Sequence, residues 1–570
     1  GRTELPDNLK ALFRPVVMVT PDLGMICENM LMSEGFAKAR LLAKKMTVLY
    51  QLAKEQLSKQ YHYDFGLRAL KSVLVMAGGL KRESPEFDES TILMRALRDM
   101  NMPKFIFADV PLFRGLIGDL FPGLDCPRVR YASFNDAVEA AITNDGLQML
   151  EVQVDKVIQL YETLLTRHTT MVVGPTGGGK TVALTALAKA QTSLGLPTKI
   201  FLINPKAVPV NELYGLLDPT TRDWTDGLLS NIFRDMNRPV PEGRDERRYI
   251  VYDGDVDAVW VENMNSVMDD NRLLTLASNE RIRLLGNMKL LFEIRDLLYA
   301  SPATVTRAGV LFISDEQQWK NYAQSWIDWW AADLPFQVKA EARKEMKAKA
   351  EELVEKYCAQ VLLEIAMYYT HIVPLLEFGM VQALLNFLQG LWTTDNIGVK
   401  DSSALEIYFV FACVWAFGGA MSITSGTDFR KKFSGYWKDT WKTIKFPHRG
   451  EIYDVFVDKV KKDFVPWSDV VPELNFDSST QQMSLVTVPT METVATSFWL
   501  ENLLPNKHGA MLIGSAGCGK TALINGKLRS LPEEYSSMTV NINYYTNALM
   551  YQKVIEAPLE KKAGKNFGPP

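Results

Sequence analysis

The sequence has few of the residues that build metal centres or disulfide frameworks. Its 570 residues include five cysteines and five histidines, and the cysteines never approach the spacing of a zinc site. These counts exclude a disulfide scaffold, argue against a metal cluster and favour a reducing, intracellular setting. Lys and Arg total 63 against 67 Asp and Glu, so no excess of positive charge points to nucleic acid, and we predict no nucleic-acid partner.

Long apolar runs are also missing. Residues 407–427 carry no charge over 21 positions, but the strongly apolar part ends near Met421 and two glycines interrupt it. A bilayer requires about 20 consecutive apolar residues, so we predict a buried core helix here and no membrane partner. The first ten residues are polar and charged, which predicts neither a secretory signal nor an anchor.

Length and composition predict several folded domains. A chain of 570 residues corresponds to about four domains at roughly 150 residues each. Apolar residues make up 47% and charged residues 23%, which is typical of folded protein rather than disorder.

Two copies of one glycine-rich pattern organise the chain, at residues 171–190 and 511–530. Each predicts an apolar strand, a GxxxxGK(S/T) loop and a helix, and the two lysines lie 340 residues apart, so a large module is repeated. In such P-loops the backbone N–H groups wrap phosphates, the lysine reaches the outer phosphates and the next hydroxyl ligates Mg²⁺. We therefore predict ATP or ADP with Mg²⁺ as cofactors, with Thr181 and Thr521 as metal ligands. The predicted binding residues are Gly174, Pro175, Thr176, Gly177, Gly178, Gly179, Lys180 and Thr181 in the first loop, and Gly514, Ser515, Ala516, Gly517, Cys518, Gly519, Lys520 and Thr521 in the second.

Hydrolysis requires more than a P-loop. A hydrolysing enzyme normally has an apolar strand that ends in an Asp, which holds Mg²⁺, followed by a Glu that polarises the attacking water. Asp253 ends such a strand 73 residues after Lys180, but Gly254 stands where the Glu is expected. We predict that Asp253 helps to bind the nucleotide and its Mg²⁺ ion. We also predict that this site holds ATP and hydrolyses it slowly or not at all. Glu262 is a second candidate carboxylate, which we interpret as the start of a surface helix. For the second loop no acidic strand follows in these residues, so its hydrolysis is left open.

The arrangement of strands and helices predicts an α/β fold. Apolar strand candidates alternate with helical stretches such as Asn263–Leu276, which favours a parallel sheet covered by helices, and a helical region follows each sheet. The candidates are Val16–Val19, Lys199–Ile203, Tyr249–Tyr252, Lys289–Phe292 and Val310–Ile313. We predict four segments: 1–125, the end of a first module with its helical lid; 126–332, the α/β part of a second module; 333–470, its helical lid; and 471–570, the start of a third. The chain is therefore expected to be part of a longer protein.

At these motifs the sequence resembles the AAA+ ring of the dynein heavy chains, over essentially all 570 residues. The resemblance lies in Gly1–Pro15 and Tyr63–Arg68 for the first module; Asn204–Val208, Asn211–Gly215, Val251–Met264 and Ala300–Arg307 for the second; and Val488–Thr493, Gly514–Thr521 and Phe567–Pro570 for the third. Gln60–Asp64 is most similar to axonemal chains of the inner-arm type. The resemblance implies AAA+ P-loop NTPase modules, each followed by an α-helical lid.

The resemblance also implies roles for individual residues. In dyneins an arginine of the second module completes the main ATPase site of the first, and Arg307 matches it; Arg68 matches the lid arginine that touches the bound phosphates. These two are the predicted catalytic residues. Arg14 matches Arg307 internally and Glu293 falls where hydrolysing modules have a polar sensor, although it equally fits a surface acid at a strand end. The second module of dyneins holds a structural ATP, and the third hydrolyses slowly and gates the motor.

The implied whole protein is a motor that exerts force on microtubules. The resemblance implies partners outside this chain: microtubules, the remaining AAA+ modules of the same heavy chain, and dynein intermediate and light chains. It also implies a location in the cytoplasm and cytoskeleton, at the axoneme of a cilium or flagellum. Two alternatives stay open at this point: another remodelling ATPase with concatenated AAA+ modules, and a non-hydrolysing scaffold stabilised by nucleotide, which is what we expect of the isolated chain.

Overall fold

The computed structural model describes residues 5–19, 21–124, 130–240, 245–314, 318–334, 338–398, 403–424, 426–474, 488–564 and 566–569. The chain divides into two compact units, Gly1–Glu316 and Gln317–Pro570. Helices dominate both, and a five-stranded parallel sheet lies in the first unit.

The first unit opens with a helical bundle. Its longest helix, Ala39–Gln56, buries apolar side chains three and four positions apart, among them Leu42, Met46 and Leu49. The other helices are Asp7–Lys10, Leu23–Ser33, Leu67–Glu83, Glu89–Asn101 and Asp109–Leu120, with a 3₁₀ turn at Met102–Lys104.

The predicted strand at Val16–Val19 is wrong. These four residues lie in coil with 77–88% of their surface exposed. A strand needs a neighbour for its N–H and C=O groups, and no strand of the described residues pairs with this segment, so β-propensity alone does not order it.

The α/β part of the first unit contains the parallel sheet. After helices Ala132–Asn144 and Glu151–Thr166, the sheet strands in chain order are β1 (Thr169–Val173), β2 (Thr198–Ile203), β3 (Arg247–Asp253), β4 (Met288–Ile294) and β5 (Gly309–Phe312). They pair in the order β2-β3-β4-β1-β5, all parallel, which confirms the sheet and four of the five predicted strands.

Alternate residues of these strands pack on the two faces of the sheet, as the period of two requires. Val172 and Leu291 contact the cluster that includes Leu187 of helix Lys180–Ser193. Met171 and Leu290 belong to the opposite cluster, which includes residues of helix Leu228–Met236. Both faces are therefore covered by helices.

The connections between the sheet strands carry two hairpins. Helix Val210–Tyr214 precedes the hairpin Gly215–Leu217/Trp224–Asp226, and the hairpin Leu273–Thr275/Arg281–Arg283 lies between β3 and β4. The predicted helix Asn263–Leu276 is therefore wrong. Short helical turns cover Ala258–Val261, Glu262–Met264 and Asn265–Met268, and the helical path ends at Asp269, whose backbone is extended; Arg272, with a φ of 54°, then precedes the first hairpin strand. A last short helix, Pro302–Val305, leads into β5.

The second unit is built around a buried helix, Ser403–Gly418. Phe409, Phe411 and Phe417 of this helix are at most 1% exposed, which confirms the predicted core helix. Among the described residues, no helix has the length and apolar character that crossing a membrane would require. The surrounding helices are Gln318–Asp333, Ala340–Leu353, Ala359–Tyr368, Glu377–Leu391, Thr394–Ile397 and Phe429–Thr440, with a π-helical turn at Val354–Cys358. Two hairpins, Ile423–Thr424/Thr427–Asp428 and Val455–Val457/Phe464–Pro466, and the 3₁₀ turn Trp467–Val470 complete this part.

The same unit ends with the second P-loop segment. Helix Met491–Leu503 packs on the helical core through Trp499, whose ring centroid lies 4.1 Å from that of Phe387. The strand predicted at Met511–Ile513 is not formed, and 81% of the surface of Met511 is exposed. The elements that follow are helices Lys520–Arg529 and Ala548–Glu556 and the short pair Glu560–Lys561/Phe567–Gly568.

Candidate functional site

The first P-loop lies between the end of β1 and the start of helix Lys180–Ser193. Gly177 and Gly179 have φ values of 85° and 91°, a region that favours glycine. A Cβ on Gly174 would lie 2.1 Å from the carbonyl oxygen of Ile313, which follows β5. Backbone conformation therefore favours glycine at positions 177 and 179, and the nearby carbonyl of Ile313 leaves no room for a side chain at position 174. Without side chains there, the backbone N–H groups at the helix N-terminus stay accessible to an anion.

Lys180 is the buried cation of this loop. Its Nζ donates to the carbonyl oxygens of Gly174 and Pro175, each at 2.9 Å. Burial lowers the pKa of Lys180, and the neighbouring carboxylates of Glu293, Asp253 and Asp255 oppose that shift. The ammonium group is thus placed at the loop with three acidic side chains around it.

Two of these acids end adjacent strands. Asp253 of β3 is paired in register with Glu293 of β4, so both carboxylates leave the same edge of the sheet. The hydroxyl of Thr181 donates to Glu293 Oε1 at 2.5 Å. A hydroxyl with carboxylates beside a phosphate-binding loop is the oxygen-rich donor set that Mg²⁺ prefers, so the residues present fit a magnesium ion.

The position after Asp253 has no carboxylate, and its backbone suits glycine. Gly254 has a φ of 154°, and a Cβ there would lie 3.1 Å from the Oδ1 atom of Asn204. Its N–H donates to the carbonyl oxygen of Glu293 at 3.3 Å. The site thus contains a lysine, a hydroxyl and carboxylates of the kinds that bind phosphate and metal, with glycine instead of an acid at the position from which hydrolysing modules polarise water.

Sequence reasoning missed Asp255 and the hydrogen bond of Glu293. Asp255 lies two residues after Asp253, a spacing that could have identified it as a third acid near the lysine. From the sequence alone Glu293 fits a polar sensor and a surface acid equally, whereas its hydrogen bond from Thr181 lies at the P-loop. Glu262 is half-buried and begins the 3₁₀ turn Glu262–Met264, which directly continues the helical turn Ala258–Val261, so it does not start a separate surface helix.

The second P-loop repeats the geometry of the first. Lys520 Nζ donates to the carbonyl oxygens of Gly514 and Ser515 at 2.9 and 2.7 Å, and to Cys518 Sγ at 3.4 Å. Gly517 and Gly519 have φ values of 82° and 83°, close to those of the first loop. The motif sets this local shape without a flanking strand, and Lys520 is more exposed than Lys180.

The two predicted catalytic arginines meet at one carboxylate. Arg307 Nε donates to Asp269 Oδ1 at 2.6 Å, and Arg68 Nη2 lies 3.7 Å from the same oxygen. Arg68 Nη1 also donates to the hydroxyl of Thr306 at 3.1 Å. Sequence reasoning did not find Asp269 or Thr306, because nothing in the chain order relates helix Leu67–Glu83 to these residues. Arg14, by contrast, is exposed in coil.

Family comparisons agree with this geometry. Residues 1–181 match the family model described as "Hydrolytic ATP binding site of dynein motor region", and residues 169–308 match "AAA domain (dynein-related subfamily)". Residues 350–469 match "Dynein heavy chain AAA lid domain", and residues 476–570 match "P-loop containing dynein motor region". The chain belongs to the dynein heavy chain family. The AAA+ α/β fold with a helical lid is thereby confirmed, while the four predicted segment boundaries stay predictions.

Individual dyneins match over the whole chain. The chain is 49% identical to human dynein axonemal heavy chain 10, 47% identical to the dynein-1-alpha heavy chain of the flagellar inner arm I1 complex of Chlamydomonas reinhardtii, and 45% identical to the alpha chain of the flagellar outer arm of the same alga. All of this chain is covered, but it spans only 13%, 12% and 13% of these relatives. Relatives from both arms are similarly identical, so the inner-arm assignment stays a prediction.

Proposed function

We propose that this chain forms part of the ATP-driven ring of a ciliary dynein heavy chain, and that its second module, residues 126–332, binds Mg·ATP with little or no hydrolysis. Gly254 carries this proposal, because no acid stands where one would polarise water, while Lys180 and Thr181 lie at the loop where they would contact phosphate and metal. When bound, Mg²⁺ would neutralise the outer phosphates, and Thr181 and Asp253 would hold it.

The other predicted sites have different roles in this proposal. The second P-loop, with Lys520, binds ATP for regulation of the motor. Arg307 completes the main ATPase site of the first module, where an arginine finger stabilises the charge that develops on the γ-phosphate. Arg68 reaches the same phosphates from the lid. Their convergence on Asp269 supports a shared site, because both guanidinium groups lie where one anion attracts them.

The proposal for the whole protein rests on family membership. The names of its relatives describe axonemal, flagellar and ciliary dyneins. We infer an ATPase motor of the ciliary or flagellar axoneme, in the cytoplasm and cytoskeleton, that acts on microtubules through parts outside this chain. Its other partners would be the remaining AAA+ modules and the intermediate and light chains. The family assignment replaces the alternative of a different remodelling ATPase.

Nucleotide content of the intact parent heavy chain tests the central proposal. Parent chain, Lys180→Ala and the matched control Lys520→Ala are purified, denatured in cold acid, and their released ATP and ADP are quantified by ion exchange. Subtraction assigns the nucleotide of each P-loop. We expect Lys180→Ala to lose about one ATP per chain, because the lysine contacts the outer phosphates.

The identity of the missing nucleotide separates the alternatives. Loss of ATP supports a structural nucleotide in the second module. Loss of ADP instead contradicts the role given to Gly254, and Glu262 would be the first carboxylate to replace in search of a base. A nucleotide content that Lys180→Ala leaves unchanged would refute nucleotide binding at this loop. For the isolated chain we expect a nucleotide-stabilised scaffold with little ATPase activity.

A further inference from the structure

Asp269 occupies a central position between the two arginines. Its Oδ1 atom accepts from Arg307 Nε at 2.6 Å and lies 3.7 Å from Arg68 Nη2. The neighbouring Asp270 pairs with Lys71 at 3.4 Å and its side chain is 93% exposed, against 33% for Asp269. Two adjacent carboxylates therefore differ sharply in surroundings, and only the first contacts the predicted catalytic groups.

The backbone around Asp269 is fixed on both sides. Its N–H donates to the carbonyl oxygen of Asn265 at 3.1 Å, which ends the turn Asn265–Met268, and its own carbonyl accepts from the N–H of Arg272 at 3.0 Å. The residues directly before it, Val267 and Met268, are at most 1% exposed. A carboxylate on such an anchored segment has a defined position, which a mobile surface acid lacks.

Arg307 is held by few other groups. Its Nη1 donates to the carbonyl oxygen of Ala303 at 2.7 Å, and its side chain is only 15% exposed. The nearby Arg68 carries a like charge, so a carboxylate between the two is needed to offset their repulsion. Without Asp269, the described contacts of the Arg307 guanidinium reduce to a single carbonyl.

We propose that Asp269 is a positioning residue for ATP hydrolysis in the first module: it orients the Arg307 guanidinium. The inference rests on the proposed function of Arg307 as the arginine that completes that site. Asp269 itself does not touch the phosphates in this role. Partners that orient metal-ligating side chains are typically worth about 10–100-fold in affinity or activity, and we expect an effect of the same order here.

A double-mutant cycle in the intact parent heavy chain tests the inference. The variants are Asp269→Ala, Arg307→Ala, their combination, and Asp270→Ala as the matched control. Steady-state ATPase assays give kcat and KM for each. We expect Arg307→Ala and Asp269→Ala each to lower kcat at least tenfold. Asp269→Ala should change KM less than threefold, and Asp270→Ala should leave kcat and KM unchanged. Since Asp269 acts through Arg307, its removal from the Arg307→Ala background should cost nothing more.

A purely structural role for Asp269 predicts a different pattern. In that case its loss would lower kcat further in the Arg307→Ala background and would reduce the nucleotide retained by the P-loop at Lys180. Either result overturns the inference, as does a normal kcat for Asp269→Ala when Arg307→Ala is impaired. A normal kcat for Arg307→Ala instead overturns the proposed function of Arg307 itself, which separates the two failures.

A milder variant guards against misfolding of Asp269→Ala. Asp269→Asn keeps the side-chain volume and one oxygen acceptor but removes the charge that attracts both guanidinium groups. We expect it to lower kcat less than Asp269→Ala and again only when Arg307 is present. An Asp269→Asn chain with parent kcat, or one whose loss persists without Arg307, would contradict the positioning role.

Discussion

Replacement of Gly254 should destabilise the candidate nucleotide-binding edge of the sheet. The residue has a φ of 154°, and a side chain in this backbone region costs about 1–3 kcal/mol. The new Cβ would also lie 3.1 Å from Asn204 Oδ1, which is fixed because it accepts from the N–H of Lys206 at 3.0 Å. We therefore expect Gly254→Ala and Gly254→Glu each to cost about 2 kcal/mol locally.

Hydrogen exchange in the parent chain measures this local cost. A loss of about 2 kcal/mol corresponds to about 30-fold faster exchange of the β3 amides, where exchange reports local opening. Gly286→Ala is the matched control, because a Cβ there meets nothing within 4 Å. We expect it to leave the exchange of the β3 amides unchanged. Unchanged exchange in Gly254→Ala and Gly254→Glu would refute the backbone argument.

Three further outcomes follow from the geometry. Gly174→Ala should abolish nucleotide retention at the first loop, since its Cβ would lie 2.1 Å from the carbonyl oxygen of Ile313; retention of ATP would contradict the close approach. Glu293→Gln should raise the Mg²⁺ concentration needed for retention about tenfold, because Glu293 accepts from the hydroxyl of Thr181, the proposed metal ligand, and an unchanged Mg²⁺ titration would count against this. Burial lowers the pKa of His168 from 6.5 to about 4. Because the unfolded chain takes up this proton at higher pH than the folded chain, the free energy of unfolding should fall as the pH drops through that range. His168→Gln should reduce this fall in acid denaturation curves.

The elements that the sequence predicted well are those fixed by short-range chemistry. The GxxxxGK(S/T) pattern requires glycine at specific φ values, and both loops take the same shape although only the first has a strand before it. Apolar runs such as Tyr249–Tyr252 predicted central strands because a strand buried on both faces needs apolar residues throughout. Arg68 and Arg307 were found through family resemblance, and the structure brings them to one carboxylate.

The wrong predictions concern features set by tertiary surroundings. Val16–Val19 and Met511–Ile513 have the composition of strands, but in the described residues neither has a pairing partner. Asn263–Leu276 has helical spacing, yet the extended backbone of Asp269 ends the helix and the chain continues into a hairpin. Asp269 could not be found because its importance depends on a helix about 200 residues earlier in the chain.

The bonds of the two P-loop lysines have a consequence for ligand choice. Lys180 and Lys520 each donate to two carbonyl oxygens of their own loop. A phosphate that takes over these donors replaces existing hydrogen bonds, so it gains only the difference between a charged acceptor and a neutral one. A small anion that reaches the lysine alone gains little from this exchange, whereas a triphosphate also engages the loop N–H groups and Mg²⁺. We therefore expect both loops to bind complete nucleotides more tightly than simple anions.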